Sequence, residues 1–190
     1  MTDKDIDKDG LIIMRNETGY DGLLALIQYL QSCRDISQDT MVEIGAYKGE
    51  STVIFAQYFK KVIIIEPFIE NYDEKDITCK VGKFDLVYSA FQENIKDYSN
   101  IWHIQDTSDE AIFDLINEPN ISFVYVDGCH MYDQVVKDLE NYIPLIVEKG
   151  FIGGHDYFEE HWPGVRRAIH LIVGIPDCCF VDSSWLKRKV

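Results

Sequence analysis

Residues 42–49 read Val-Glu-Ile-Gly-Ala-Tyr-Lys-Gly, and this stretch decides the predicted fold. Its apolar start belongs to a short predicted strand over 41–44, and a predicted helix opens at Ser51. Gly45 and Gly49 lie between the two, where glycine allows a tight turn and a close approach of the backbone to a ligand. The helix N-terminus presents unpaired N–H groups to an anionic group. The stretch therefore predicts a ligand-binding turn between a strand and a helix.

The segments that follow this turn, and the one before it, alternate between strand and helix patterns. β-Branched or apolar runs predict strands at 62–65, 101–104, 121–126 and 151–152. Apolar residues at helical spacing predict helices over 21–33, 50–60, 84–97, 108–117, 131–147 and 164–173. Such alternation predicts an α/β fold with a Rossmann-like, doubly wound and mostly parallel sheet. We assign residues 20–190 to this single domain, with a strand or hairpin after Cys178, and residues 1–19 to an N-terminal acidic tail.

Composition narrows the class of protein and its partners. With 46% hydrophobic and 27% charged residues, the 190-residue chain has an ordinary globular composition. A net charge of -15 disfavours nucleic acid as a partner. The polar N-terminus is no signal peptide, and no apolar run approaches the roughly 20 residues of a membrane span. Because the five cysteines are odd in number and irregularly spaced, we expect reduced thiols and a cytoplasmic protein without a membrane partner.

The acid after the second predicted strand indicates which cofactor the turn binds. Glu66 follows Gly45 by about 20 residues, a spacing at which a carboxylate can accept hydrogen bonds from ribose hydroxyls. The dinucleotide pattern is G-x-G-x-x-G, whereas Gly45 and Gly49 enclose Tyr47, which crowds a pyrophosphate. Glu43 would repel a pyrophosphate and suits an α-ammonium group. The pattern therefore favours S-adenosylmethionine (SAM) over a nicotinamide cofactor, and a nicotinamide-dependent oxidoreductase is the less favoured alternative.

Asp106 and Thr107 follow the third predicted strand. Asp106 could accept a hydrogen bond from the amino group of a bound adenine. Asp106, Thr107 or Ser108 could equally cap the helix that begins near Asp109. Both interpretations stay open, and both can hold together.

Two acidic residues follow the fourth and fifth predicted strands. Neighbouring strands would bring Asp127 and Asp156 together, and two close carboxylates repel unless they share a proton or a cation. A divalent cation such as Mg²⁺ could hold an acceptor hydroxyl there and lower its pKa. His130 could then take the proton as general base. Asp127 could otherwise only begin a turn, and His155 could be a strand-end histidine rather than a metal ligand.

Three segments together resemble a known family: Glu43–Ser51, Tyr125–His130 and Gly154–Tyr157. They are similar to the class I methyltransferases of the macrocin O-methyltransferase type, which are related in fold to catechol and caffeoyl-CoA O-methyltransferases. The resemblance covers roughly residues 20–175. It implies a SAM-dependent O-methyltransferase fold and activity, with a small-molecule hydroxyl as acceptor.

The resemblance also implies roles for individual residues. It implies a metal at Asp127 and Asp156, with His155 as a further candidate ligand, and His130 as the base together with Asp127. The sequence departs from the family at His155, where metal-dependent relatives often carry an acidic residue. The residues expected to bind SAM are Glu43, Gly45, Ala46, Tyr47, Gly49, Ser51, Glu66, Asp106 and Thr107.

Three further interpretations of the sequence concern activity, assembly and the N-terminal segment. A non-catalytic SAM- or nucleotide-binding protein is the alternative to an enzyme, and a homodimer is a possible assembly. Residues 5–10 match the first half of a calcium-binding loop, but Asn16 stands where that loop needs a bidentate glutamate. We therefore interpret the N-terminal segment as a solvated acidic tail.

Overall fold

A computed structural model describes residues 6–8, 10–70, 83–158 and 160–189. Within them the strands are β1 (Thr40–Ile44), β2 (Lys61–Ile65), β3 (Ile101–Ile104), β4 (Ile121–Val126), β5 (Phe151–Gly154), β6 (Cys178–Cys179) and β7 (Trp185–Arg188). The α-helices are α1 (Glu17–Cys33), α2 (Glu50–Phe55), α3 (Phe84–Ile95), α4 (Ser108–Leu115), α5 (Tyr132–Tyr142) and α6 (Pro163–Ile172). Asp5 and Asp9, which belong to the calcium-loop-like segment, lie outside the described residues.

The strands form one seven-stranded sheet in the order β3-β2-β1-β4-β5-β7-β6. The pairs from β3 to β5 are parallel, and β7 runs antiparallel to both β5 and β6. The predicted Rossmann-like, mostly parallel sheet is thus confirmed, as is the hairpin after Cys178. Because β1 pairs with both β2 and β4, the strand order reverses beside β1. In open α/β sheets the crevice at such a reversal binds ligands.

Helices cover both faces of the sheet, so the central strands are buried on both sides. Every residue of β1 and of β4 is buried. One core cluster packs α1 and Phe55 against one face of the sheet, and the other packs α5 and α6 against the opposite face. This burial explains why the strand sequences are continuous apolar runs without alternation.

Two helices end five residues earlier than their apolar patterns predict. α2 ends at Phe55 instead of continuing to residue 60. α5 ends at Tyr142 and passes into a short 3₁₀ turn over Ile143–Leu145. Pro144 lies in that turn, and a proline inside a helix has no N–H for the backbone hydrogen bond while its ring clashes with the carbonyl group four residues earlier. The local backbone chemistry of proline therefore overrides the apolar periodicity.

The N-terminal segment packs against the domain. Asn16 caps α1, since its side-chain oxygen accepts a hydrogen bond of 3.0 Å from the Gly19 N–H. The helix consequently begins at Glu17, inside the stretch 1–19 that the sequence assigns to a tail. Leu11 is 2% exposed, and the Arg15 side chain is 6% exposed. The buried side chains of Leu11 and Arg15 therefore anchor residues 10–16 to the folded domain.

Two sequence-based expectations concern membranes and thiols. Among the described residues, no helix combines the length and the apolar character that a membrane crossing requires. None of the described cysteines forms a disulfide.

Candidate functional site

The turn after β1 has a backbone that only glycine accommodates easily. Gly45 has a φ of +86°, and a Cβ atom there would lie 2.3 Å from the carbonyl oxygen of Asp127. Gly49 has a φ of +77° and precedes the first residue of α2. Tyr47, between them, also adopts a left-handed φ of +47°. The glycines thus allow the turn to close against the end of β4.

Glu66 ties the end of β2 to this turn. Its Oε2 accepts hydrogen bonds of 3.0 Å from the backbone N–H groups of Ala46 and Tyr47. Its Oε1 accepts one of 3.0 Å from the N–H of Phe68. An ionised carboxylate has about four acceptor positions. The arrangement orients Glu66 at the cavity and leaves acceptor capacity for a ligand hydroxyl.

Glu43 supports the turn from beneath. Its side chain is fully buried, and its two carboxylate oxygens accept hydrogen bonds from the Ser51 hydroxyl at 2.5 Å and the Thr52 hydroxyl at 2.6 Å. Burial raises the pKa of Glu43 to about 7, although both hydrogen bonds oppose this. Glu43 does not line the cavity. The predicted direct contact with an α-ammonium group does not fit this placement, because the carboxylate faces the start of α2.

A cavity of about 370 Å³ opens at the carboxyl ends of the parallel strands. Ten of the predicted site residues line it: Gly45, Ala46, Tyr47, Ser51, Glu66, Thr107, Asp127, His130, His155 and Asp156. Three others, Glu43, Gly49 and Asp106, do not. Gly49 shapes the turn, and the Asp106 carboxylate accepts a hydrogen bond of 2.8 Å from the Thr107 N–H. The Asp106 carboxylate thus contacts the backbone just before α4, and its contact with an adenine stays a prediction.

A polar network beside Thr107 was not predicted from the sequence. The Ser108 hydroxyl donates a 2.6 Å hydrogen bond to Asp138, and the Gln134 amide donates one of 3.0 Å to the same oxygen. All three side chains line the cavity. Asp138 is 1% exposed, and burial raises its pKa to about 6. Asp138 is a polar residue on the buried face of α5, and this feature of the sequence could have revealed the network.

Two aspartates and two histidines meet at the ends of β4 and β5. His155 Nδ1 lies 3.1 Å from Asp156 Oδ1 and 3.8 Å from Asp127 Oδ1. His130 Nε2 lies 3.0 Å from Asp156 Oδ2. The His130 ring stacks on Trp162, with 4.3 Å between the ring centroids. The predicted acid–base residues are therefore neighbours in space, although Trp162 was not foreseen.

Asp156 has the most constrained backbone of this cluster. Its φ is +63°, which is uncommon for a residue other than glycine and which tends to occur at functional sites. Burial raises the pKa of Asp156, but the hydrogen bonds and charges of His130 and His155 outweigh burial and hold the pKa below its ordinary value. Asp156 is therefore an ionised carboxylate between two imidazoles.

Arg15 completes the cluster and was missed by sequence reasoning. Its guanidinium donates a 2.7 Å hydrogen bond to Asp127, one of 3.1 Å to the Tyr125 hydroxyl and one of 3.3 Å to Asp182. Burial raises the pKa of Asp127, whereas the charges of His155 and Arg15 lower it, and the net direction is upward. The available sequence signal was a lone arginine next to the Asn16 helix cap.

The donor chemistry of this cluster decides whether it fits Mg²⁺. One donor atom each from Asp127, His130 and Asp156 lies within 4.8 Å of the others, so spacing alone would admit an ion. Mg²⁺ requires near-octahedral oxygen ligands, and imidazole suits transition metals instead. All four carboxylate oxygens already face nitrogen atoms of Arg15, His130 or His155. These residues do not fit the predicted Mg²⁺ ion.

The strand reversal, the glycine turn and the acid after β2 define an α/β domain of the kind that binds ligands at the carboxyl ends of its strands. Comparison with known proteins then identifies the family. A family model described as a methyltransferase domain matches residues 42–157. The chain belongs to this family of methyltransferase domains.

The chain is also similar in sequence to a viral protein. The chain is 33% identical over 139 residues to the uncharacterized protein R132 of Acanthamoeba polyphaga mimivirus. That match covers 70% of this chain but only 59% of the relative's length.

Solved structures share the fold at low sequence identity. The TDP-rhamnose 3'-O-methyltransferase CalS11 superposes with a TM-score of 0.63 at 14% identity, covering 91% of this chain and 81% of its own. The N-methyltransferase NodS of Bradyrhizobium japonicum, in complex with S-adenosylhomocysteine, has a TM-score of 0.63 at 14% identity, covering 96% and 93%. The O-methyltransferase NovP has a TM-score of 0.61 at 14% identity, covering 87% and 79%.

Proposed function

We propose that this protein is a SAM-dependent methyltransferase that methylates a hydroxyl group of a small molecule, as the resemblance to macrocin-type O-methyltransferases implies. One observation carries the proposal: the glycine turn and the cluster of Asp127, His130 and Asp156 line the same cavity. A cofactor bound over the turn would therefore lie next to groups that can deprotonate an acceptor. The methyltransferase-domain family and the S-adenosylhomocysteine complex of NodS support the choice of cofactor.

The cofactor half of the cavity suits a nucleoside. Glu66, already oriented by the turn, has acceptor capacity for ribose hydroxyls. Polar groups line a further part of the same cavity. They come from Thr107 and from the network of Ser108, Gln134 and Asp138. Such preorganised groups bind without a large ordering penalty.

The half of the cavity that contains Asp127, His130 and Asp156 is suited to removing a proton from an acceptor hydroxyl. In the proposed reaction the acceptor oxygen attacks the methyl carbon, the carbon–sulfur bond breaks, and the sulfonium becomes a neutral thioether. The hydroxyl proton passes to His130 as general base. Asp156 orients the His130 ring, because its Oδ2 lies 3.0 Å from His130 Nε2. Positioning of the acceptor in line with the methyl group supplies much of the remaining acceleration.

No metal takes part in this form of the reaction. The donor set does not fit the divalent ion that the resemblance implies, and the nitrogen partners of Asp127 and Asp156 support the metal-free form that relies on His130.

Isothermal titration with S-adenosylhomocysteine tests the cofactor. We expect the wild type to bind and Glu66→Gln to bind about 10- to 100-fold more weakly, because a hydrogen bond to a charged group contributes about 1.5–3 kcal/mol. Glu93→Gln is the matched control, since the Glu93 side chain is 69% exposed on α3. Absence of wild-type binding at millimolar ligand would refute the proposal, and binding of NADH instead would favour an oxidoreductase.

Catalysis is tested separately. Wild type and His130→Ala are incubated with methyl-labelled SAM and a panel of small-molecule phenols, sugars and other alcohols. Transfer of label by the wild type that is lost in His130→Ala supports an O-methyltransferase. Cofactor binding without transfer to any hydroxyl acceptor would favour the non-catalytic alternative.

A further inference from the structure

We propose that Arg15 supplies at Asp127 the positive charge that a divalent metal ion would otherwise supply at the acceptor site, so that this methyltransferase site works without one. The proposal rests on the proposed function, because it concerns the same acceptor-side carboxylates. It assigns the N-terminal segment a positioning role at Asp127, which neither the family assignment nor the relatives supply.

The contacts of Arg15 fix its guanidinium at the end of β4. Nη2 donates hydrogen bonds to Asp127 at 2.7 Å and to the Tyr125 hydroxyl at 3.1 Å, and Nη1 donates to Asp182 at 3.3 Å. Asp182 is in turn held by the buried Ser184 hydroxyl at 2.8 Å. A guanidinium is a planar fork that cannot lose its proton in proteins. The positive charge beside Asp127 is consequently permanent.

The backbone of this segment is also fixed, beside the cofactor turn. Glu50 Oε2 accepts hydrogen bonds from the N–H groups of Met14 at 2.9 Å and Arg15 at 2.7 Å. The buried Lys48 ammonium lies 3.1 Å from Glu50 and 2.7 Å from Asp7. Arg15 is therefore anchored at both its backbone and its side chain, unlike a surface arginine with a solvated head.

This anchored charge opposes a divalent cation. An ion that used Asp127 as a ligand would share the carboxylate with a guanidinium 2.7 Å from one of its oxygens. The charges would repel at short range in a site where the Arg15 side chain is 6% exposed and solvent screens weakly. On the other side, His130 and His155 face both oxygens of Asp156. Arg15 thus already supplies positive charge at Asp127, and the ring nitrogens of His130 and His155 already occupy the two oxygens of Asp156.

Binding of Mn²⁺ alone tests the proposal, because Mn²⁺ accepts the same oxygen ligands as Mg²⁺. Free Mn²⁺ is measured by electron paramagnetic resonance, and Asp127→Asn identifies the fraction bound at this site. For the wild type we expect no Asp127-dependent binding with a Kd below about 1 mM. Arg15→Gln removes the charge at similar size and is expected to gain Asp127-dependent binding by at least about tenfold. Arg15→Lys, which keeps the charge, is expected to behave as the wild type.

Three results would overturn the proposal. Tight Asp127-dependent binding by the wild type is the first, and such binding by Arg15→Lys is the second. A folded Arg15→Gln variant that gains no binding is the third. If circular dichroism shows that Arg15→Gln does not fold, the wild type and Arg15→Lys still decide. Titration of the same samples with S-adenosylhomocysteine reports on the proposed function independently.

Discussion

The guanidinium of Arg15 lies 2.7 Å from the carboxylate of Asp127, although 112 residues separate the two in the sequence. This contact joins the N-terminal segment to the carboxylates at the ends of β4 and β5. Because Arg15 also reaches Asp182 before β7, it links both ends of the chain to the centre of the sheet. The site is therefore assembled from the whole chain and extends beyond the region 42–157 that the family model matches.

We predict that adding one methyl group at Gly45 strongly lowers both stability and ligand binding. In Gly45→Ala the new Cβ would lie 2.3 Å from the Asp127 carbonyl oxygen, at a φ of +86°. We expect the free energy of unfolding, measured in urea, to fall by more than about 2 kcal/mol, together with loss of S-adenosylhomocysteine binding.

Gly174→Ala is the matched control for this prediction. Gly174 has a φ of +76°, but a Cβ added there would meet no atom within 4 Å. It should show only the backbone strain of about 1 kcal/mol and keep wild-type ligand affinity. Equal effects of the two substitutions would contradict a steric origin.

Because the Glu43 carboxyl is buried, we predict that the free energy of unfolding depends on pH. Burial raises its pKa from 4.5 to about 7, so the folded state keeps a proton that the unfolded chain releases between these values. The free energy of unfolding contributed by Glu43 therefore falls as pH rises through that window. Between pH of about 4 and about 8, the wild type should lose on the order of 3 kcal/mol more than Glu43→Gln. Urea denaturation across this range measures the difference.

The control for this prediction is Glu93→Gln, at an exposed glutamate of α3. Its stability profile should run parallel to that of the wild type. Parallel profiles for the wild type and Glu43→Gln would show that Glu43 does not hold the proton.

The Asp138 network predicts a coupled loss of stability and ligand affinity. Asp138→Ala removes the acceptor of the Ser108 hydroxyl and of one Gln134 amide hydrogen bond. We expect the free energy of unfolding to fall by about 1–3 kcal/mol, because buried donors lose their partner. Binding of S-adenosylhomocysteine should weaken in parallel, since both donors line the cavity. Asp133→Ala, at an exposed position of α5, should stay within about 0.5 kcal/mol of the wild type, and the prediction fails if the two variants match.

We predict that the contacts of Lys48 protect the N-terminal segment from proteolysis. Its ammonium bridges Asp7 and Glu50, and Glu50 holds the backbone of Arg15. Lys48→Met should therefore speed tryptic cleavage after Arg15 by about fivefold or more, corresponding to roughly 1 kcal/mol of local stability. Mass spectrometry of the intact chain measures the rate.

Lys96→Met serves as the control for proteolysis, because Lys96 pairs with Glu93 on the exposed surface of α3. Its cleavage rate after Arg15 should equal that of the wild type. Acceleration by both variants would indicate a general loss of stability instead of release of the segment.

Local patterns made much of the cofactor side predictable. A strand, two glycines and a helix start lie within a few residues at 42–51, and the backbone requirements of Gly45 are local. Glu66 could be identified because parallel strands end at one edge, which puts the residue after β2 beside the turn after β1. The orientation of Glu43 was not predictable in this way, since its carboxylate is directed by hydroxyl groups on α2.

The sequence by itself determined the alternating fold, the glycine turn and the set of polar residues at the strand ends, because periodicity and backbone preference act over short distances. Only the tertiary structure decided that Arg15 lies against Asp127, that Asp138 holds Ser108, and that Trp162 stacks on His130. These contacts depend on how separate elements pack around one cavity, and long-range packing leaves no periodic signal in the chain. The same packing places Arg15 against Asp127 and two imidazoles against Asp156, where the sequence motif alone suggested a metal ion.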